Sequence, residues 1–505
     1  MSEILSAIFT LNNVLMMFIG VFAGIIIGVL PGLGTTFAVT VLLTITFGMD
    51  SYAGMYLLLG AYVGSVYGGS ITAILINTPG TNSAVATAFD GYPLAEKGRA
   101  GDALNAALFA STVGGLVSAF ALMFFAPQLA KVVNLIASPE YFCLCIFGLC
   151  AAVSVAGDNR IKGLICACFG LLIASVGMDP AFGTNRFTFG YYRLLGGFRV
   201  STVMLGAYAM STVLIKCREA YISGTKGAEP IEFHHSKFRL HHTFRYWKTL
   251  IRSSVYGVVI GAIPGTGSAI SAMLGYNAAR RASKNPDEWG KGELEGVVAP
   301  ECANNAVTGA TMIPLLTMGI PGDAATAVLL GALTMQGVIP GKALFSEGSV
   351  WVYAIMGGLI IVNLIMLLQG SLLIHLFANV TRVPLTVLMP CIVATCFMGA
   401  YALGNSTYEI MVMIAFGMLG YIMKRFDFPI PPLTIALVLG SLCESNLRRS
   451  LLVSHDDWTV FFTRPVCILI LLLAVAFMML PTINKWLQEK KVFKKLDIES
   501  VETVE

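Results

Sequence analysis

Charge is scarce in this sequence. Asp, Glu, Lys and Arg make up 12% of its 505 residues, against 56% hydrophobic ones, and such a surface could not keep a globule of this size in water. Its apolar segments do not alternate in the manner of a transmembrane β-barrel strand. There is no Walker A sequence: GLGTTF at 32–37 has the glycines without the lysine that phosphate binding needs, so direct ATP drive is not expected. A nucleophile elbow and a metalloprotease helix are missing as well, and no enzyme is expected. Four of the six histidines fall in HHSKFRLHH, 234–242, with no cysteine beside them. That basic, aromatic stretch reads as an interfacial helix on the cytoplasmic leaflet rather than a zinc site. The eleven cysteines lie mostly inside apolar runs such as YFCLCIFGLC, as small packing residues, and imply no disulfide framework. The first residues lack the basic start and small-residue cleavage site of a signal peptide, so 14–30 is expected to stay. The net charge of +4 sits in loops and identifies no partner; nucleic acid is not expected.

Long apolar runs are what the sequence has. They recur at 14–30, 52–76, 103–127, 138–156, 161–178, 350–378, 385–404 and 465–482, several near or above the roughly 18–20 residues that cross a bilayer. An all-α polytopic membrane protein is expected, with about a dozen transmembrane helices, some of them in hairpins that do not cross. The sequence also contains itself twice. GVLPGLGTTFAVTVLL at 28–43 is matched by GAIPGTGSAISAMLG at 261–275, and INTPGTNSAVATA at 76–88 by MGIPGDAATAVLL at 318–330. Both pairs come in the same order, each followed by a long apolar segment. Basic residues from Lys216 to Arg252 outnumber the acids there, which places 216–252 on the cytoplasmic side with Arg160, Lys162, Lys424, Arg425 and the lysines of 485–495. Threading the spans between these points gives two halves of opposite orientation: a first repeat at 1–215, a basic linker at 216–252, a second repeat at 253–484 and a cytoplasmic tail at 485–505. The 280–300 loop fits either face. Inverted repeats with interrupted helices at matching positions are an architecture of secondary transporters.

Four Pro-Gly breaks interrupt or border the apolar segments: Pro31-Gly32, Pro79-Gly80, Pro264-Gly265 and Pro321-Gly322, with Gly34 and Gly267 two residues beyond the first and third. Broken backbone is tolerated at membrane depth only where protein or a watery cavity covers it. Helix starts expose unpaired N–H groups and partial positive charge, which suits anions. Thr35, Thr36, Asn77, Thr78, Gly80, Thr81, Asn82, Ser83, Thr266, Ser268, Gly322 and Thr326 are therefore candidates to hold a small anion without a buried lysine. A cation would use freed carbonyls and side-chain oxygens.

Ionisable residues near the breaks are few. Asp323 follows the fourth break and either serves a coupling cation or proton, or caps the next helix. In APECANNAVTG, Glu301 and Asn304 are further ion-coupling candidates; Asn305 is favoured as a ligand over Glu301, for which exposure at the surface is the competing reading. Asp90 in DGYP reads as a turn residue, and Arg448 and Arg449 are expected to pair with Glu444 or Asp456.

GVLPGLG, YGGSITAILINTPGTNSAVATAFDGYPLAEKGRAGDAL, GAIPGTGSAISAMLGYNAARRASKNP, GKGELEGVVAPECANNAVTGATMIPLLTMGIPGDAATAVLLGAL and GVIPGKALF closely resemble the large membrane subunit of the tripartite tricarboxylate transporters, TctA, from about residue 14 to about 480. NTPGT stands intact as Asn77 to Thr81 and GIPG as Gly319 to Gly322; Cys302 stands where a smaller residue such as alanine is expected. The resemblance implies a secondary transporter of the bacterial cytoplasmic (inner) membrane, driven by a cation gradient (Na+ or H+) with no other cofactor. It implies two partners, a small membrane subunit and a periplasmic solute-binding protein, and as substrates organic anions, mostly citrate-like tricarboxylates and dicarboxylates.

Overall fold

The computed structural model describes residues 2–133, 136–154, 160–179, 183–223, 244–341, 344–345, 349–380 and 385–479. Their apolar runs form helices because a bilayer core offers backbone groups no partner outside the chain. In the first half come α1 (Ser2–Phe9), α2 (Leu11–Val29), α3 (Gly34–Leu43), α4 (Ser51–Ile76), α5 (Val85–Glu96), α6 (Ala100–Val133), α7 (Ser138–Ser154) and α8 (Arg160–Ala174). A two-residue antiparallel hairpin pairs Gly177 with Arg186 and Met178 with Asn185. Then α9 (Val200–Met204) runs through a π-helical turn at Leu205–Met210 into α10 (Ser211–Ser223).

The second half follows a similar order. It holds α11 (Trp247–Gly261), α12 (Gly267–Ala282), α13 (Glu295–Ala310), α14 (Met312–Met318), α15 (Ala324–Met335), α16 (Ser349–Val380), α17 (Leu385–Gly404), α18 (Thr407–Arg425), α19 (Ile430–Val453), α20 (Val460–Thr463) and α21 (Pro465–Met479). The long α4 corresponds to α13 plus α14. Among the described residues seven helices are long and apolar enough to cross a membrane, and five shorter apolar helices accompany them. This is a multi-pass all-α membrane protein. Phe120, Phe124 and Phe125 of α6 and Leu472 of α21 are exposed on its outside, as lipid-facing residues are.

The halves match at the level of backbone angles. In PGLG, Gly32 and Gly34 have φ of 73° and 77°; in PGTG, Gly265 and Gly267 have 83° and 70°. These left-handed angles turn the chain sharply between two helices, and side chains other than glycine rarely adopt them. At the other two breaks, the residue two before the proline is left-handed, Asn77 with φ 52° and Gly319 with φ 72°.

Close helix contact builds the centre. Gly20, Gly24 and Gly28 of α2 face Leu57, Ala61 and Ser65 of α4, and α4 returns Gly60, Gly64 and Gly68. A methyl group on Gly24 would sit 2.6 Å from the Ala61 carbonyl oxygen, and one on Gly64 2.5 Å from that of Val21. Small residues at four-residue spacing let backbones approach where no hydrophobic effect drives helices together. Gly257 and Gly261 of α11 meet α13 in the same way. The helix α4 is buried along nearly its whole length, from Ala53 to Leu75. Across the halves, α6 packs on α13, where Gly309 N–H donates to Ser118 Oγ at 3.1 Å, and α4 on α16, where Tyr56 donates to the Ala354 carbonyl at 3.0 Å. A second bundle joins α19 to α7 and α8 and joins α18 to the π-helical turn. Gly64→Leu is expected to cost about 1–3 kcal/mol through overpacking, read as a lower melting temperature in detergent. Phe124→Leu, on the outer surface, is expected to change it little; equal melting of the two variants would show that the α2–α4 contact is not limiting.

Candidate functional site

All four breaks meet one cavity of about 870 Å³. Its wall includes Gly32, Gly34, Thr35 and Thr36 from the first break and Pro79, Gly80, Thr81, Asn82 and Ser83 from the second. The third contributes Gly265, Thr266, Gly267 and Ser268, and the fourth Asp323, Ala324 and Ala325. The breaks also touch one another. Gly265 N–H donates to the Gly322 carbonyl at 2.8 Å. A methyl on Gly80 would collide with the Gly28 carbonyl, just before the first break. Gly80 N–H is held by the Gly69 carbonyl of α4 at 3.2 Å.

Helices therefore begin at the cavity from four directions: α3, α12, α15, and the 3-10 turn Asn82–Ala84 that leads into α5. The first N–H groups of a helix lack intrahelical partners and carry its partial positive charge. Leu33, Thr266 and Thr81 make no side-chain cap for α3, α12 and the 3-10 turn. At the fourth start Asp323 caps α15. Its carboxylate accepts from Thr326 N–H at 2.7 Å, and Asp323 N–H donates back to Thr326 Oγ1 at 2.8 Å. The hydroxyl of Tyr62, from α4, donates to the same carboxylate at 2.9 Å and lies 3.2 Å from Thr311 Oγ1. Of the two roles open to Asp323, capping is the one the geometry fills.

The opposite wall was not anticipated from sequence. It comprises Tyr208, Thr212, Lys216, Glu219, Lys424, Pro431 and Ile435. Tyr208 lies in the π-helical turn, a distortion common at functional sites, and shares a 2.8 Å hydrogen bond with Thr434. Lys216 is paired with Glu219 at 2.9 Å. Lys424 donates to Thr212 Oγ1 at 2.7 Å and makes no ion pair among the described residues. Both lysines had been read only as cytoplasmic charges that fix orientation. Both line the cavity, where the sequence placed no lysine. The one available signal was that both lysines fall within helices, Lys424 in the last turn of α18 and Lys216 midway along α10, rather than in loops.

Other expected site residues lie elsewhere. Asn77 and Thr78 are exposed and do not line the cavity; Asn77 closes α4 in its left-handed conformation. Pro31, Pro264 and Pro321 stand behind the wall, as do Gly322 and Thr326, which act on it through hydrogen bonds. Asn304 and Asn305 are fully buried in α13, apart from the cavity, and Asn305 donates to the Glu301 carbonyl at 3.2 Å. The surface reading of Glu301 is overturned: it is 0% exposed, accepting from Thr87 and Ser111.

Asp90 is likewise no turn residue. It lies buried within α5, where it accepts from Tyr276 at 2.9 Å and from the N–H groups of Gly290, Gly292 and Glu293 at 2.9, 2.9 and 2.8 Å. The 280–300 loop is thereby tied to the same end as Lys97. Arg448 pairs with Glu444 at 2.8 Å as expected, and also with Asp179 at 2.7 Å. Cys302 is buried between α11 and α13, where its thiol donates to the Leu250 carbonyl at 3.3 Å. The histidines of 234–242 and the tail at 485–505 lie outside the described residues.

Interrupted helices gathered round one cavity inside a multi-pass bundle are an architecture of membrane transport proteins. Residues 14–435 match the model of the Tripartite tricarboxylate transporter TctA family, and the chain belongs to that family. It is similar to two proteins of Agrobacterium vitis. One, described as an uncharacterized 52.8 kDa protein in the TAR-I ttuC′ 3′region, is 35% identical over 490 residues, 96% of each chain. The other, in the TAR-II ttuC′ 3′region, is 35% identical over 231 residues, 45% of this chain and 96% of that protein. No solved structure matches.

Asp323→Ala removes the α15 cap and is expected to cost about 1 kcal/mol, read as a lower melting temperature in detergent. Asp323→Asn keeps an oxygen for Thr326 N–H and should lose less. If both melt with the unaltered protein, the cap does not hold that helix.

Proposed function

We propose that this chain is the permease of a cation-driven carrier that takes up small di- and tricarboxylates, delivered by a periplasmic binding protein and assisted by a small membrane subunit. The observation that carries this reading is Lys424, an ammonium group with no carboxylate partner among the described residues, facing a cavity in which α3, α12 and the 3-10 turn before α5 begin uncapped. A multiply charged guest needs separate donors for each carboxylate. One would accept from the N–H groups and hydroxyls of Thr35, Thr36 and Ser268, with Asn82 and Ser83 beside them, and another would meet Lys424. Charge-assisted bonds of this kind are about twice as strong as neutral ones. The volume suits an organic anion of a few carbons and its remaining water.

Residues 1–215 and 253–484 act as two inverted repeats in the bacterial inner membrane, with the 216–252 linker and the C-terminus cytoplasmic. The cavity opens to one side and then the other, driven by a sodium or proton gradient. Counterflow of labelled citrate, succinate and glutamate in vesicles, with both partner proteins present, tests substrate and drive together. Lys424→Gln is expected to raise the KM for a multiply charged substrate about tenfold or more, with membrane insertion unchanged. Uptake by that variant at the normal KM would remove Lys424 from the substrate site. Failure of all three labels to exchange would reject the reading as a whole.

A further inference from the structure

Every other acid that the described fold buries deeply has its charge answered. Glu140 meets Arg464 at 2.6 Å, Asp179 meets Arg448 at 2.7 Å, and Glu409 meets Arg199 at 3.1 Å. Asp90 is ringed by three backbone N–H groups and a tyrosine hydroxyl. Glu301 is the exception. It is fully enclosed in α13, and its partners are hydroxyls alone: Thr87 from α5, Ser111 from α6 at 2.9 Å, and Ser70 from α4, which leans toward the carboxylate without closing a hydrogen bond. Among the described residues no lysine, arginine or histidine pairs with it. A carboxylate at membrane depth without a counter-charge is among the most costly arrangements a helix bundle can hold.

The surroundings supply more oxygen than a carboxylate needs. Ser70 Oγ has no hydrogen-bond partner, nor has the hydroxyl of Tyr67 one turn away on α4, and both are buried. Asn304, three residues from Glu301 and so beside it on the helix, is 0% exposed with neither amide atom bonded. Four helices thus bring a carboxylate and three hydroxyls to one buried point apart from the cavity, with an unpartnered amide one turn along α13. Hard cations take sets of oxygen ligands of this kind.

We propose that this point is a sodium site, in which Glu301 supplies the charge and Ser70, Thr87, Ser111 and Asn304 supply neutral oxygens. It rests on the carrier reading above and gives it a coupling site. Thr87 is one helical turn beyond Ser83 of the cavity wall. Ser70 lies eight residues along α4 from Tyr62, about 12 Å by helical rise. A bound ion therefore fixes both the start of α5 and the helix that holds Asp323.

The test uses the full chain purified in detergent, without substrate, melted in sodium chloride, potassium chloride and choline chloride of equal strength. Sodium is expected to raise the melting temperature above the other two salts, and Glu301→Gln to abolish that difference. Ser111→Ala and Thr87→Val, which leave the charge in place, are expected to raise the half-saturating sodium concentration about tenfold each and serve if Glu301→Gln does not fold. Equal melting in all three salts, a sodium effect that survives in Glu301→Gln, or an unchanged half-saturating concentration in Ser111→Ala and Thr87→Val, overturns the site. Stability that follows pH and ignores sodium assigns the counter-charge to a proton and overturns it as well. Sodium binding is measured without carboxylate, so a chain that binds sodium but exchanges no carboxylate refutes the carrier reading and not the site.

Discussion

A backbone N–H in hydrocarbon must have a partner, and the rest of this molecule follows from that constraint. A single interrupted helix would leave its first N–H groups facing lipid. Four interruptions brought together cover one another: Gly265 binds Gly322, Gly80 is held by Gly69 and lies against Gly28, and Asp323 closes the start of α15. What remains uncovered faces a shared polar space. The glycine seams between α2 and α4 and between α11 and α13 serve the same end, because they bring the break-bearing segments close enough to meet.

Much of this was legible in the sequence. The apolar runs placed α2, α4, α6, α7, α8 and α16 to within a few residues, because hydropathy at membrane depth admits little else. The motif pairs located the breaks because Pro and Gly act on the backbone locally, and both copies adopt matching left-handed angles. Side-chain roles that depend on distant neighbours were not legible. Asp90 resembled a turn because Gly91 and Pro93 follow it, yet Gly91 is there to let α5 press on Ile74 of α4. Glu301 looked like a surface charge because nothing nearby in sequence shows that Thr87 and Ser111 will enclose it. Lys424 sits beside Arg425 and invited one reading for both, but only Lys424 faces the cavity.

The buried charges show how differently one cost can be met. Arginines answer Glu140 and Glu409 in the first turns of α7 and α18, and Asp179 in the hairpin after α8. Backbone amides answer Asp90, which can be done only where a loop folds back over a helix. Tyr62 and the α15 cap answer Asp323. Each solution recruits a second segment, so the acids act as fasteners between parts of the chain far apart in sequence.

Asp90 shows where those fasteners lead. It grips a loop of the other half, as Thr87 and Ser111 grip Glu301 and Tyr62 grips Asp323. The two sequence copies are laced through each other, and a movement that rocked one copy against the other would tear these bonds. The cavity lies between these laced segments and the wall that α18, α19 and the π-helical turn supply.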